Sequence, residues 1–167
     1  MSVTDSTTEV LGTYLDDHLV GAEAGLEMAQ QLWKRAGDGP DAGMLAMLVE
    51  DIKADRDELR GLLERLDQGR HRVKQAAGWI AGKGHQIAVG EALTGDADLS
   101  MLLHTESLAI WLDGKRALWV ALSAVASRYP VLTETDLPGL ADRARDQRDR
   151  LESIRLRAAH RAFTLTR

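Results

Sequence analysis

The stretch LLHTESLAIWLDGKRALWVAL, residues 102–122, is the most apolar part of the chain, yet it carries two acids, Glu106 and Asp113, seven residues apart. Apolar residues recur through it at threes and fours, the period of a helix with one face turned to a core. Seven residues is close to two helical turns, so both carboxylates fall on one side, in line with Leu99, Leu102, Leu103, Ile110, Ala117 and Val120. Read as the buried side, this stripe needs a metal, a proton or a base for each acid, because an uncompensated charge in an apolar interior is too costly to keep. A second apolar stripe, Leu108, Trp111, Leu112, Trp119 and Leu122, is then left over for contact with another part of the chain or with another protein.

Outward from this segment, Pro40, Pro130 and Pro138 punctuate the chain, and the same apolar period returns between them. A first helix is expected from near Thr8, where Ser6 and Glu9 have capping-box spacing, to the GDGPD break at 37–41. A second follows at once, with Leu45, Leu48, Ile52, Leu59, Leu62 and Leu66 on one stripe. The segment 69–98 holds six glycines, and only HRVKQAAGWIAG within it suggests a short extra helix. That segment reads as a crossover. A third helix is expected over about 99–128, and Asp136 in YPVLTETDLPG caps a fourth over about 137–163. Four helices of about 27 to 30 residues are roughly 40 to 45 Å long and can lie side by side. The expected fold is therefore all-α: a single domain over 1–167, built as a four-helix bundle with one long crossover that makes the second and third helices parallel.

The totals agree with this and exclude several function classes. A chain of 167 residues suits one domain with a sizeable core. There is no cysteine, so disulfides, thiolate metal sites and cysteine nucleophiles are excluded. MSVTDSTTEV lacks a basic start and an apolar run, and no eighteen uncharged apolar residues occur together, so a soluble, cytoplasmic protein is expected, with no membrane partner. A net charge of −5, from 26 acids and 21 bases, argues against nucleic acid as a partner.

Two helical hairpins joined by a long crossover resemble the layout of the ferritin-like superfamily. The segments YLDDHLVGAEAGLEMA, EDIKADRDELRGLLERL and HTESLAIWLDGKRALWVAL also resemble uncharacterised bacterial proteins of that broad shape. The resemblance implies a mid-bundle pair of iron or manganese ions, held by one Glu from each of two helices and Glu-x-x-His from each of the other two. Three residues before His18, His71, His85, His104 and His160 stand Leu15, Gln68, Gly82, Met101 and Arg157, so neither half of that motif is present. In the second helix, Asp51 and Asp55 are followed three residues later by Ala54 and Glu58. No cofactor and no metal ligand are therefore expected.

Other chemistry lacks its signature as well. In AGKGHQ, residues 81–86, the lysine is followed by glycine rather than Ser or Thr, so this is no phosphate loop. No nucleophile elbow accompanies the histidines. The arginines from Arg143 to Arg161 have acid neighbours at helical spacing, such as Asp142 with Arg145 and Asp146 with Arg150, and read as a salt-paired face. His18 lies with Leu11, Leu15, Ala22 and Ala29 on the inner stripe of the first helix, as a ligand, an acid–base group or a hydrogen-bonded core histidine. His104 and His160 fall beside the inner stripes and receive no role. Gly21, Ala22, Gly25 and Ala29 leave room for a small apolar ligand or, more simply, for close helix approach.

Counting along the bundle from the end where the first two helices meet, His18 lies about 18 residues down, Asp55 and Asp113 about 15, and Gln147 with Arg148 about 16. Glu106 and Arg155 make a second level at about 8 and 9. A polar layer of acid–arginine and acid–histidine hydrogen bonds is thus expected where the resemblance would put a metal centre. The function expected is that of a non-catalytic ferritin-like bundle acting by self-association or through an unknown protein partner, with Leu108, Trp111, Leu112 and Trp119 as the interaction face. The alternative is a ferritin-like oxidoreductase or metal-storage protein with an atypical carboxylate site.

Overall fold

The computed structural model describes residues 3–68 and 96–164, and within them every regular element is helical. The long helices are α1 (Val3–Ala36), α2 (Ala42–Gln68), α3 (Ala97–Val125) and α5 (Leu137–Thr164). A 3-10 turn at Ala126–Arg128 and the single turn α4 (Pro130–Thr133) connect α3 to α5. The expected crossover helix lies outside the described residues.

Local chemistry sets the ends. α1 begins before Thr8, since neither proline nor glycine interrupts residues 3–11. It stops at Gly37, whose φ of +52° is the left-handed conformation that suits glycine after a helix. Asp96 opens α3 by accepting the backbone N–H groups of Asp98 and Leu99 at 2.9 and 3.1 Å. Asp136 performs the same task for α5, accepting from Gly139 N at 3.0 Å. Glycine is needed there, because a Cβ on residue 139 would stand 2.2 Å from the Asp136 carboxylate.

Apolar side chains form two cores. One gathers Leu15, Leu62, Trp119, Leu122 and Leu140, with Leu132 of α4 closing it. The other gathers Leu32, Leu45, Ile52, Leu112 and Ile154. The first core takes the early part of α1, the late parts of α2 and α3 and the early part of α5, and the second takes the reverse. Hence α1 and α2 are antiparallel, α3 and α5 are antiparallel, and α2 runs parallel to α3. The closest packing joins α3 to α5 and α1 to α2, with α1 also against α3.

Of the stripe expected to be buried on α3, Leu102 is buried and Leu99 and Leu103 are half-buried, but farther along the helix the buried side is a different one. Leu108, Leu112, Leu118, Trp119 and Leu122 are buried, whereas Ile110 is 74% exposed, Val120 48% exposed and Ala117 exposed. The leucine and tryptophan stripe removes more apolar area from water, and the rotation leaves Asp113 in solvent at no desolvation cost. Leu108, Trp111, Leu112 and Trp119 are therefore core, not an interaction face. Trp111 is covered by α1: its indole lies over Gly25 and donates from Nε1 to the carbonyl of Gly21 at 2.8 Å. A Cβ on residue 25 would meet the indole at 2.1 Å. The small residues of α1 thus admit a side chain of α3.

Two glycine substitutions should move stability in opposite directions. Gly114 has nothing within 4 Å of a built Cβ, so Gly114→Ala is expected to raise unfolding free energy by about 0.5–1 kcal/mol through helix propensity alone. Gly25→Ala must displace Trp111, and overpacking of about 1–3 kcal/mol is expected to outweigh the propensity gain. Urea titrations of both variants against the parent check the signs.

Candidate functional site

Between the two cores, α2, α3 and α5 each place one polar residue in an apolar stretch of the inner stripe, and α1 places His18 nearby, between Leu15 and Ala22 of the first core. On α2 the stripe reads Leu48, Ile52, Asp55, Leu59, Leu62, and on α3 Leu108, Leu112, Lys115, Trp119, Leu122. On α5 it reads Leu140, Ala144, Gln147, Leu151, Ile154, and on α1 Leu11, Leu15, His18, Ala22. The steps of three and four turn each polar side chain inward with its neighbours.

Asp55, Lys115 and Gln147 are 1%, 6% and 0% exposed and close into a triangle. Lys115 Nζ lies 2.5 Å from Asp55 Oδ2 and also donates to Gln147 Oε1. Gln147 Nε2 donates to Asp55 Oδ2 at 2.8 Å, which completes the ring. The other carboxylate oxygen, Oδ1, lies 2.6 Å from Arg143 Nη2 as an ion pair that lacks hydrogen-bond alignment. Lys115 Nζ also stands 5.1 Å from the centroid of the Trp111 ring, within cation–π range. Burial pushes the Lys115 ammonium below its ordinary pKa, while the charge and hydrogen bond of Asp55 resist that shift. The pair joins α2 to α3, and Gln147 ties both to α5, so the network links three helices at one level.

His18 stands on the α1 side of this layer, half-buried, with its ring edge-on to Tyr14 at 4.5 Å between centroids. Burial lowers its pKa, and the charge of Asp17 opposes this. His18, Lys115 and Asp55 line one partly open cleft of about 190 Å³, together with Gly21, Ala22, Leu59, Trp111 and Trp119. Among the described residues no group of three or more His, Asp or Glu side chains is placed to hold a metal ion. The cations beside Asp55 are the ammonium of Lys115 and the guanidinium of Arg143.

Of the residues expected in the polar layer, Asp55 and Gln147 are in it, His18 borders it, and Glu106, Asp113, Arg148 and Arg155 are not. Those four form the expected acid–arginine pairs outside the core. Arg155 Nη1 is 3.4 Å from Glu106, and Arg148 Nε is 3.7 Å from Asp113, whose side chain is 65% exposed. Seven residues separate the two acids and seven separate the two arginines, so antiparallel helices pair them one for one along their outer edge. Glu152 sits between the arginines, and hydrogen bonds from Arg155 and then Arg148 pull its carboxyl down to about 2. His104, given no role from the sequence, is buried, with Nδ1 2.8 Å from the carbonyl oxygen of Ser100.

The arginines of α5 are mostly spent between helices. Arg143, Arg150 and Arg157 reach Asp55, Asp51 and Asp41 on α2 or just before it. Arg148, Arg155 and Arg161 reach Asp113, Glu106 and Asp98 on α3. Asp142 pairs locally with Arg145 at 3.2 Å as expected, but Arg150 turns to Asp51 rather than to Asp146.

Asp55→Leu strands the Lys115 ammonium in the core and is expected to cost about 3–5 kcal/mol, whereas Asp55→Leu with Lys115→Met should recover most of that loss. Equilibrium unfolding of the single and double variants measures the coupling; simple additivity contradicts the triangle. His18 also imposes a pH dependence. Its pKa is lower in the folded chain than the ordinary 6.5, so the unfolded chain takes up the proton first and stability falls as the pH drops below about 6.5. His18→Gln should flatten that slope, read as the urea midpoint at about pH 7.5 against about pH 5.5. Compared with known proteins, the chain matches no family model, no curated protein and no solved structure.

Proposed function

We propose that the chain is a non-catalytic helical bundle of ferritin-like layout that works by pairing with a second copy of itself. The outer face of α3 carries this reading. Ile110, Ala117, Val120, Ala121 and Ala124 form an exposed apolar stripe on the most apolar helix, with Gly114 leaving its centre open. A stripe of this kind on a long element gains by being covered. It is also self-complementary. Two α3 helices crossing antiparallel between Gly114 and Ala117 bring Ile110 of each copy to Val120 and Ala121 of the other, and set Asp113 of one within reach of Arg116 of the other. The non-catalytic part of the reading is supported by Lys115, whose ammonium compensates the buried Asp55 at mid-bundle, where the ferritin-like layout would need anionic ligands for two cations.

Sedimentation equilibrium from about 1 to about 100 µM is expected to show a dimer, and Ile110→Glu a monomer with unchanged helical circular dichroism. A parent chain that is monomeric throughout this range overturns the association. Protein purified without chelator that carries near-equimolar iron or manganese overturns the non-catalytic reading and restores the metal-binding alternative.

A further inference from the structure

The residues that line the cleft between α1, α2 and α3 locate its mouth. Only Asp17 and Gly114 among them are exposed, one on α1 and the other on α3, so the cleft opens between these two helices. Gly114 is also the centre of the exposed apolar stripe of α3, and a Cβ built on it would meet nothing within 4 Å. Ile110, Gly114, Ala117 and Ala121 step by four, three and four along one side of α3. Val10, Tyr14, Asp17 and Gly21 step in the same way along α1, and Val10 and Tyr14 are exposed. The apolar stripe thus forms one lip of the mouth, and Asp17 is the one charge in the two rows. Packed helices lie about 8–10 Å apart and a helix with its side chains is about 10–12 Å across. A helix laid along Gly114 and Ala117 therefore overhangs the opposite lip.

His18 follows Asp17 in the wall of the cleft and is half-buried. Tyr14 meets it edge-on from α1, Asp55 and Arg56 line the same cleft from α2, and Lys115 lines it from α3. Asp55 is balanced by Lys115 and Arg143, and Arg56 by Glu23 and Asp57. Trp119, also in the wall, has its indole N–H buried without an acceptor. Water entering by the mouth is what solvates an imidazolium at residue 18, with the carboxylate of Asp17 assisting.

We propose that the second copy closes this mouth, so that pairing and protonation of His18 oppose one another and acid releases the pair. This rests on the pairing of α3 with a second copy. Burial already lowers the His18 pKa against the charge of Asp17, and covering the mouth removes further solvation and lowers it more. The pair then binds fewer protons than two single chains. Association is therefore strongest above the His18 pKa of the single chain and weakens as the pH falls through it.

Sedimentation equilibrium of the full chain at about pH 7.5 and about pH 5, with circular dichroism confirming the fold at both, reads this linkage. The dissociation constant of the parent is expected to rise about tenfold between the two, and that of His18→Gln to stay within about twofold. A parent that is monomeric at both pH values removes the pairing itself and the closure with it. Equal pairing at both overturns the closure alone and leaves the pairing in place. Equal weakening of parent and His18→Gln also overturns it, because the proton would then act elsewhere. Should His18→Gln fail to fold, proton NMR of the imidazole decides. His18 is expected to titrate at lower pH in the paired parent than in monomeric Ile110→Lys, whose added cation alone would lower it. Titration of the parent at the same or a higher pH overturns the proposal.

Discussion

The ammonium of Lys115, enclosed by Asp55 and Gln147, governs how three of the four long helices are set against one another. Each of the three residues is the polar position that stands between the two apolar cores on its helix. Sliding α2 by a heptad in either direction would put Leu48 or Leu62 opposite the lysine and leave a buried charge uncompensated. Apolar stripes alone would tolerate such slips, because leucine packs against leucine in many registers. The triangle does not, and the fourth helix is keyed separately by the Trp111 indole seated over Gly25.

Around this centre, α5 is placed by charge on both of its flanks. It buries Leu137, Leu140, Leu151 and Ile154 beside three alanines and Gln147, and its remaining faces are rich in charge. Its arginines reach α2 on one side and α3 on the other, in antiparallel order. Most of these pairs are partly solvated, and individually they add little to stability. Their spacing nevertheless fixes the rotation of α5 about its own axis, since a turn toward either neighbour would break the pairs to the other. Glu106 and Asp113 belong to this edge, and their seven-residue spacing answers that of Arg155 and Arg148.

Much of the helical layout was legible because the apolar period is long, and because Asp136, Gly37 and the prolines mark its ends. The pairing of Glu106 with Arg155 and of Asp113 with Arg148 could be read from level counts, as could the meeting of Asp55 with Gln147. The face of α3 could not be read in the same way. Both of its stripes are apolar, and the spacing of the acids points to one of them, whereas summed area favours the side with Trp119 and four leucines. That choice hid Lys115. A lysine two residues from Asp113 looks like surface, but in the sequence Leu108, Leu112, Lys115, Trp119, Leu122 it interrupts an unbroken heptad stripe as Asp55 does on α2. Reading interruptions of that kind on every helix would have found all members of the layer. No comparable pattern points to the orphaned Trp119 N–H, since its state depends on what surrounds it after folding.

The polar layer also divides the interior, so that each end of the molecule has an apolar core drawing on all four long helices. Cooperative unfolding is carried by shared contacts, and between the two cores these are the triangle and Trp111, which packs against both. The two cores are therefore the units along which sub-global opening would divide the molecule. Amide hydrogen exchange would then proceed in two blocks rather than one, with the boundary falling at Asp55, Lys115 and Gln147 and, on α1, between Ala22 and Leu26.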